Sequence, residues 1–165
     1  MDYSISFTPL TLGEHRFDFE VDKSLFDNFE NEDILGANIT LKVNLLKEER
    51  MLTLNFQFNG VLNVLCDRCL DPLEINIKGE NTLFIKFGEE YLEEDDDVIV
   101  ISNKEHKIDL SQHIYEYILL QKPMKCVHEI SKCNSDIVER INKKKEDNDK
   151  SIDPRWSALK NIKFE

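Results

Sequence analysis

Between Leu52 and Cys66 the chain alternates with a period of two. Leu52, Leu54, Phe56, Phe58, Leu62, Val64 and Cys66 share one parity, and Thr53, Asn55, Gln57, Asn59 and Asn63 take the other. Only Val61 and Leu65 break the polar set. Successive side chains of a strand point to opposite faces, so this pattern predicts one long strand with a single buried face. Gly60 interrupts the apolar parity and predicts a bend or bulge there. The strand delivers the chain directly to Cys66-Asp67-Arg68-Cys69.

The flanking segments carry the same signal. His15, Phe17, Phe19 and Val21 alternate with Arg16, Asp18 and Glu20. After Asp22-Lys23-Ser24, the residues Leu25, Phe26 and Phe29 predict a short helix or turn, and Ile39, Leu41, Val43 and Leu45 a second strand. Beyond the cysteines, Leu73, Ile75 and Ile77 alternate again, and Leu83, Ile85 and Phe87 continue the pattern past Gly79. Strands so close in sequence, each polar on one face, predict an antiparallel arrangement.

The second half changes character. Residues 89–97 read as an acidic loop and Val98–Ile101 as a short apolar strand. Asp109 is placed to cap a helix, with Gln112 three residues on as in a capping box. Leu110, Ile114, Tyr117 and Ile118 fall at helical spacing, and Pro123 ends the helix. A further helix is expected from Ser135 to Ile141. The fold class is therefore α+β: an antiparallel β-meander or barrel-like sheet with one or two packing helices and a zinc-knuckle-like cysteine turn. Residues 1–141 form a single domain in this reading, 142–152 a charged flexible linker, and 153–165 a C-terminal docking segment. Pro154 suits the first turn of a helix capped by Asp153, and Trp156, Leu159 and Ile162 share a stripe.

Charge narrows the function classes. Thirty-three acidic residues against 21 basic ones leave a formal charge of -12. Non-specific nucleic-acid binding relies on Lys and Arg releasing counterions from phosphates, so this balance favours a basic protein partner over RNA. Lys143-Lys144-Lys145 is too short, and too close to Glu146 and Asp147, to form a nucleic-acid patch. No apolar run reaches the roughly 20 residues of a membrane span, and the N-terminus lacks the features of a secretory signal. A cytoplasmic, reducing setting is expected, in which paired cysteines read as metal ligands before disulfides.

Cys66 and Cys69 supply half of a tetrahedral site, and the segment after Pro123 offers Cys126, His128 and Cys133. With a divalent ion, Cys66, Cys69, Cys126 and Cys133 leave two excess negative charges. Cys66, Cys69, His128 and Cys133 leave one. Arg68, Lys125 and Lys132 flank both sets. The bland alternative is a core cysteine at the end of a strand and free thiols elsewhere. A thioredoxin-like reading needs a βαβ setting, whereas this knuckle joins two strands. A hydrolytic zinc site needs an open coordination position and a general base, and no His-Glu-x-x-His or phosphate-binding glycine loop occurs. His15, His106 and His113 stand alone.

In this order, the elements resemble the YceD family of large ribosomal RNA subunit accumulation proteins. The resemblance rests on Val64-Leu65-Cys66-Asp67-Arg68-Cys69-Leu70-Asp71-Pro72 after a long strand, the acidic insertion, and Ile108-Asp109-Leu110 opening a helix. It continues through Ile118-Leu119-Leu120-Gln121-Lys122-Pro123, Val127-His128 and Cys133 to Asp153-Pro154-Arg155-Trp156-Ser157-Ala158-Leu159-Lys160. It implies a cysteine or histidine five residues after the proline, followed by another cysteine. Those positions map onto His128 and Cys133, with Cys126 as reserve ligand. It further implies a non-catalytic factor supporting large-subunit ribosomal RNA accumulation, in which the zinc expected from the cysteine knuckle would be structural. The expected partner is a large-subunit precursor or a basic ribosomal protein, with Arg155, Trp156 and Leu159 as a docking surface. The competing readings are a metal-dependent hydrolase acting on RNA and a zinc-stabilised interaction domain unrelated to ribosomes.

Overall fold

The computed structural model describes residues 2–88, 93–95 and 98–149. The docking residues Arg155, Trp156 and Leu159, and most of the acidic loop, lie outside the described residues. In chain order the elements begin with β1 (Ser4–Ser6), β2 (Gly13–Asp22), α1 (Lys23–Asn28), β3 (Ile34–Lys47) and β4 (Met51–Leu65). They continue with β5 (Pro72–Gly88), β6 (Glu93–Asp95), β7 (Val98–Ser102), β8 (Lys107–Asp109), α2 (Ser111–Gln121) and α3 (Ser135–Asp149).

The alternating segments form a six-stranded sheet in the order β2-β3-β4-β5-β7-β6. β2 to β5 are an antiparallel meander of long strands. The sheet is open, with β2 and β6 as its edges, so the α+β reading holds and the barrel-like alternative does not. One pair departs from the antiparallel expectation: β7 runs parallel to β5, Phe84 facing Val98 and Gly88 facing Ser102. Nine residues separate the two strands in sequence. Within that stretch, Glu93–Asp95 pair with β7, where composition alone reads as loop.

Gly60 has a different role from the expected bulge. Pairing with β3 runs unbroken through Ile39 opposite Gly60, and the register shift lies instead between Ile34 and Gly36. A Cβ on Gly60 would meet the Asn38 carbonyl oxygen at 2.2 Å and the Ile39 Cα at 2.5 Å. The glycine is therefore there for backbone approach. β5 likewise passes Gly79 without a break, and the side chain of Gln121 from α2 occupies the space a Cβ would fill.

One face of the sheet is covered and the other is solvated. Ile39, Leu41, Val43 and Leu45 of β3 and Leu52, Leu54, Phe56 and Phe58 of β4 are buried. Helix α2 lays Ile114, Tyr117 and Ile118 against them, with the Tyr117 ring edge-on to Phe56 at 5.3 Å. α1 adds Leu25 and Phe26, and its cap is the Asp22 side chain accepting from the Ser24 N–H at 2.9 Å. β1 pairs with β8 in a separate two-stranded sheet that brings Tyr3 and Ile5 into the same core. Asp109 accepts from the Ser111 N–H at 2.9 Å, yet the α2 cap position is Leu110. Gln112 bonds forward to Glu116 rather than back, so the expected capping box is only half formed.

Helix α3 runs past Ile141 to Asp149, through part of the stretch whose composition reads as linker. Lys and Glu are good helix formers, and Lys143 pairs with Glu139 one turn back at 2.6 Å.

Candidate metal centre

Two segments meet at the end of β4. The first is the turn Cys66–Asp71, closed by Leu70 N–H to Cys66 O and Cys66 N–H to Asp71 O, both 2.9 Å. Leu70 takes a left-handed conformation, φ 62, to turn the chain into β5. This loop aims the side chains of Cys66 and Cys69 to the same side. The second is the irregular stretch after α2. Pro123 disfavours helix for Lys122, which is extended, and the helix stops at Gln121. The chain then doubles back past the turn, where Asp67 N–H donates to Cys126 O at 2.7 Å and Cys126 N–H to Asp67 Oδ2 at 2.6 Å. A short 3-10 turn, Ile130–Lys132, presents Cys133 and leads into α3.

The ligand atoms of Cys66, Cys69, His128 and Cys133 all lie within 4.8 Å of one another. Cys66 Sγ is 4.0 Å from Cys133 Sγ, and Cys69 Sγ is 3.5 Å from His128 Nδ1. A tetrahedral zinc with Zn–S of about 2.3 Å and Zn–N of about 2.05 Å has S···S edges of about 3.8 Å and S···N edges of about 3.55 Å. The two separations are close to those edges and all four donors lie near enough to hold one metal ion, whereas a disulfide would need the sulfurs at about 2.05 Å. All four cysteines are free thiols.

Surrounding groups suit a thiolate-rich site. His128 Nε2 lies 3.1 Å from the Pro72 carbonyl oxygen. A carbonyl only accepts, so Nε2 is the ring nitrogen placed to donate, and Nδ1 is the one that faces Cys69. The Arg68 guanidinium donates to Cys133 Sγ at 3.2 Å and to the His128 carbonyl at 3.3 Å. Burial opposes ionisation of Cys66, but the N–H groups of Cys69, His128 and Arg68 outweigh it and bring the thiol down to about 6. For Cys69, N–H donation from Asn134 favours the thiolate, but burial and the neighbouring thiols of Cys66 and Cys133 leave the pKa raised. The three sulfurs form their own buried cluster, with Val127, Ile137 and Val138 packed on it.

Cys126 is not brought to this cluster. Its thiol bonds the Pro123 carbonyl at 3.4 Å and belongs to the main core, where burial raises its pKa. Spacing alone left it equal to His128. His15 bonds the Thr11 carbonyl one turn of chain away, and His106 pairs with the Thr8 hydroxyl across the fold, so neither joins the cluster. Missing from the sequence reading are Asp67, the Pro72 carbonyl and the Arg68 contact with Cys133. A carboxylate between two ligand cysteines was the only available sign of the first.

The family model for the large ribosomal RNA subunit accumulation protein YceD matches residues 54–163. That is two thirds of the chain, from within β4 through the whole centre. The chain belongs to the YceD family. The matched span contains Cys66, Cys69, His128 and Cys133 together, so the cluster lies inside the YceD region rather than in an appended segment. No curated protein and no solved structure matches the chain.

Proposed function

We propose that this YceD protein is a non-catalytic factor in large-subunit assembly that supports ribosomal RNA accumulation, and that Cys66, Cys69, His128 and Cys133 hold one structural zinc ion. The observation that supports the zinc assignment is the donor set itself: three sulfurs and one imidazole nitrogen gathered within 4.8 Å of one another. Four protein donors close the coordination sphere, whereas a catalytic zinc keeps a position for water. Zinc in this role ties the β4–β5 turn to the start of α3, and the hydrogen bonds from Arg68 and to Pro72 orient its ligands. The ribosomal role is supported by the family description.

Partners in this proposal are a large-subunit precursor or a basic ribosomal protein; of the two, the charge of -12 attracts the basic protein. Arg155, Trp156 and Leu159 are the proposed contact residues. The proposed compartment is the cytoplasm, and among the described residues no helix is long and apolar enough to cross a membrane. Deletion of the gene should lower large-subunit RNA relative to small-subunit RNA, and native purification should recover large-subunit precursors with the protein. Normal subunit ratios in the deletion strain would refute the ribosomal role.

A further inference from the structure

We propose that Asp67 is the positioning residue of the metal centre: it ligates nothing, but clamps Cys126 on both sides and so delivers His128 to the ligand cluster before the ion arrives. The inference rests on the zinc reading above and deepens it.

His128 sits on a stretch of chain with no helix or strand to hold it. Its approach to Cys69 must therefore be fixed by other contacts. Asp67 provides two of them on a single residue. Its own N–H donates to the Cys126 carbonyl at 2.7 Å, and its side-chain Oδ2 accepts the Cys126 N–H at 2.6 Å. One residue thus satisfies both backbone groups of another, as a pair of strands would, and fixes the height and rotation of the chain two residues before His128. The His128 N–H then faces Cys66 Sγ at 3.5 Å, and the ring nitrogens reach Cys69 and the Pro72 carbonyl. None of these contacts uses an ion.

A turn carboxylate that only happened to find an N–H would contribute to local stability and nothing more. A simple electrostatic attraction for the cation would be lost on removing the charge. Positioning differs from both, because an uncharged side chain of the same shape should suffice. Partners that orient metal ligands typically change affinity about 10–100-fold when removed.

The test measures zinc affinity of the full chain by competition with a chromophoric chelator, for wild type, Asp67→Ala, Asp67→Asn and Asp71→Ala. Asp67→Ala should weaken zinc about 10–100-fold, with the urea midpoint of the metal-free sheet unchanged. Asp67→Asn keeps an Oδ acceptor and should stay within about threefold of wild type, which excludes a purely electrostatic effect. Asp71→Ala removes an exposed carboxylate from the same turn and should have no effect. The Cys126 amide should be protected from exchange in metal-free wild type and exposed in Asp67→Ala. Wild-type affinity in Asp67→Ala, or an Asn variant as weak as the Ala variant, overturns the proposal while leaving the zinc site intact. A wild type that takes up no zinc overturns the zinc reading and this proposal together.

Discussion

The sheet core and the cysteine centre are both buried, but they are held by different forces. Ile39, Leu41, Leu54, Phe56, Tyr117 and their neighbours exclude water over a continuous apolar surface, each fully buried side chain contributing about 1.5–3 kcal/mol. The centre buries Cys66, Cys69 and Cys133, and the apolar side chains around it are only partly covered. Three thiols and a partly buried imidazole cannot close a core alone. The sheet is thus specified by patterning and area, and the centre by ligand geometry and hydrogen bonds. The first should tolerate loss of metal and the second should not.

The largest effect expected from this difference is on the centre. Cys69→Ser should lower bound zinc from about one ion per chain to near none, and lower the melting temperature. His128→Ala should hurt binding far more than Cys126→Ala. In hydrogen exchange, zinc removal should expose amides between Glu129 and Val138 while β3 and β4 stay protected. Loss of protection across the sheet on chelation would show that the two regions are one cooperative unit.

Acid should act on the same region. In the metal-free protein the Cys66 thiol ionises at about 6, against 9.0 for an ordinary thiol. A folded pKa below the unfolded one contributes stability that is full above the unfolded value and is lost as pH falls through the folded value. Local stability of the metal-free centre should therefore decline from pH 9 down to about 6, and Cys66→Ser should flatten that dependence. Thiolate absorbance and melting measured across this range check both statements. A thiol titrating only near 9 would contradict the assigned N–H donation.

The sheet offers a contrast between two of its own glycines. Gly60→Ala forces a Cβ against β3 backbone that cannot move away, and should cost about 1–3 kcal/mol. Gly79→Ala meets the Gln121 side chain first, at 2.3 Å from its Cδ. That group can swing aside, and reduced freedom of the unfolded chain offsets the disturbance, so the change should stay within about 0.5 kcal/mol. Urea midpoints measure both. Equal losses would mean that α2 is as immovable at this point as a neighbouring strand.

The same division decides what could be read without coordinates. The parity of Leu52 through Cys66 defines β4 because burial of one face is written in every second residue. Pairings between distant short segments leave no such trace. Ser4–Ser6 meets Lys107–Asp109 across about a hundred residues, and the parallel match of Phe84 with Val98 is set by how the chain returns. Cys66 and Cys69 were legible from spacing, whereas the choice between Cys126 and His128 needed the family pattern. The physical reason is that Cys126 turns into the main core, and spacing does not record the direction of a side chain. Asp67 was illegible for a similar reason, since its partner is a backbone group 59 residues away. Composition does not mark the helical stretch after Ile141, because Lys and Glu suit a solvated helix and a linker equally well.

The smallest expected effect lies where the two regions join. Leu70 closes the cysteine turn at φ 62 with a side chain that is 69% exposed. The left-handed region costs an ordinary residue about 1–2 kcal/mol, and the exposed isobutyl group recovers little of it by burial. Asn tolerates this conformation better, so Leu70→Asn should stabilise the turn by about 0.5–1 kcal/mol. The gain should appear as slower zinc release and added protection of the Leu70 amide, which bonds the Cys66 carbonyl at 2.9 Å. The urea midpoint of the metal-free sheet should stay where it is. A loss of stability on this substitution would mean that the leucine side chain makes a contact worth more than its backbone strain.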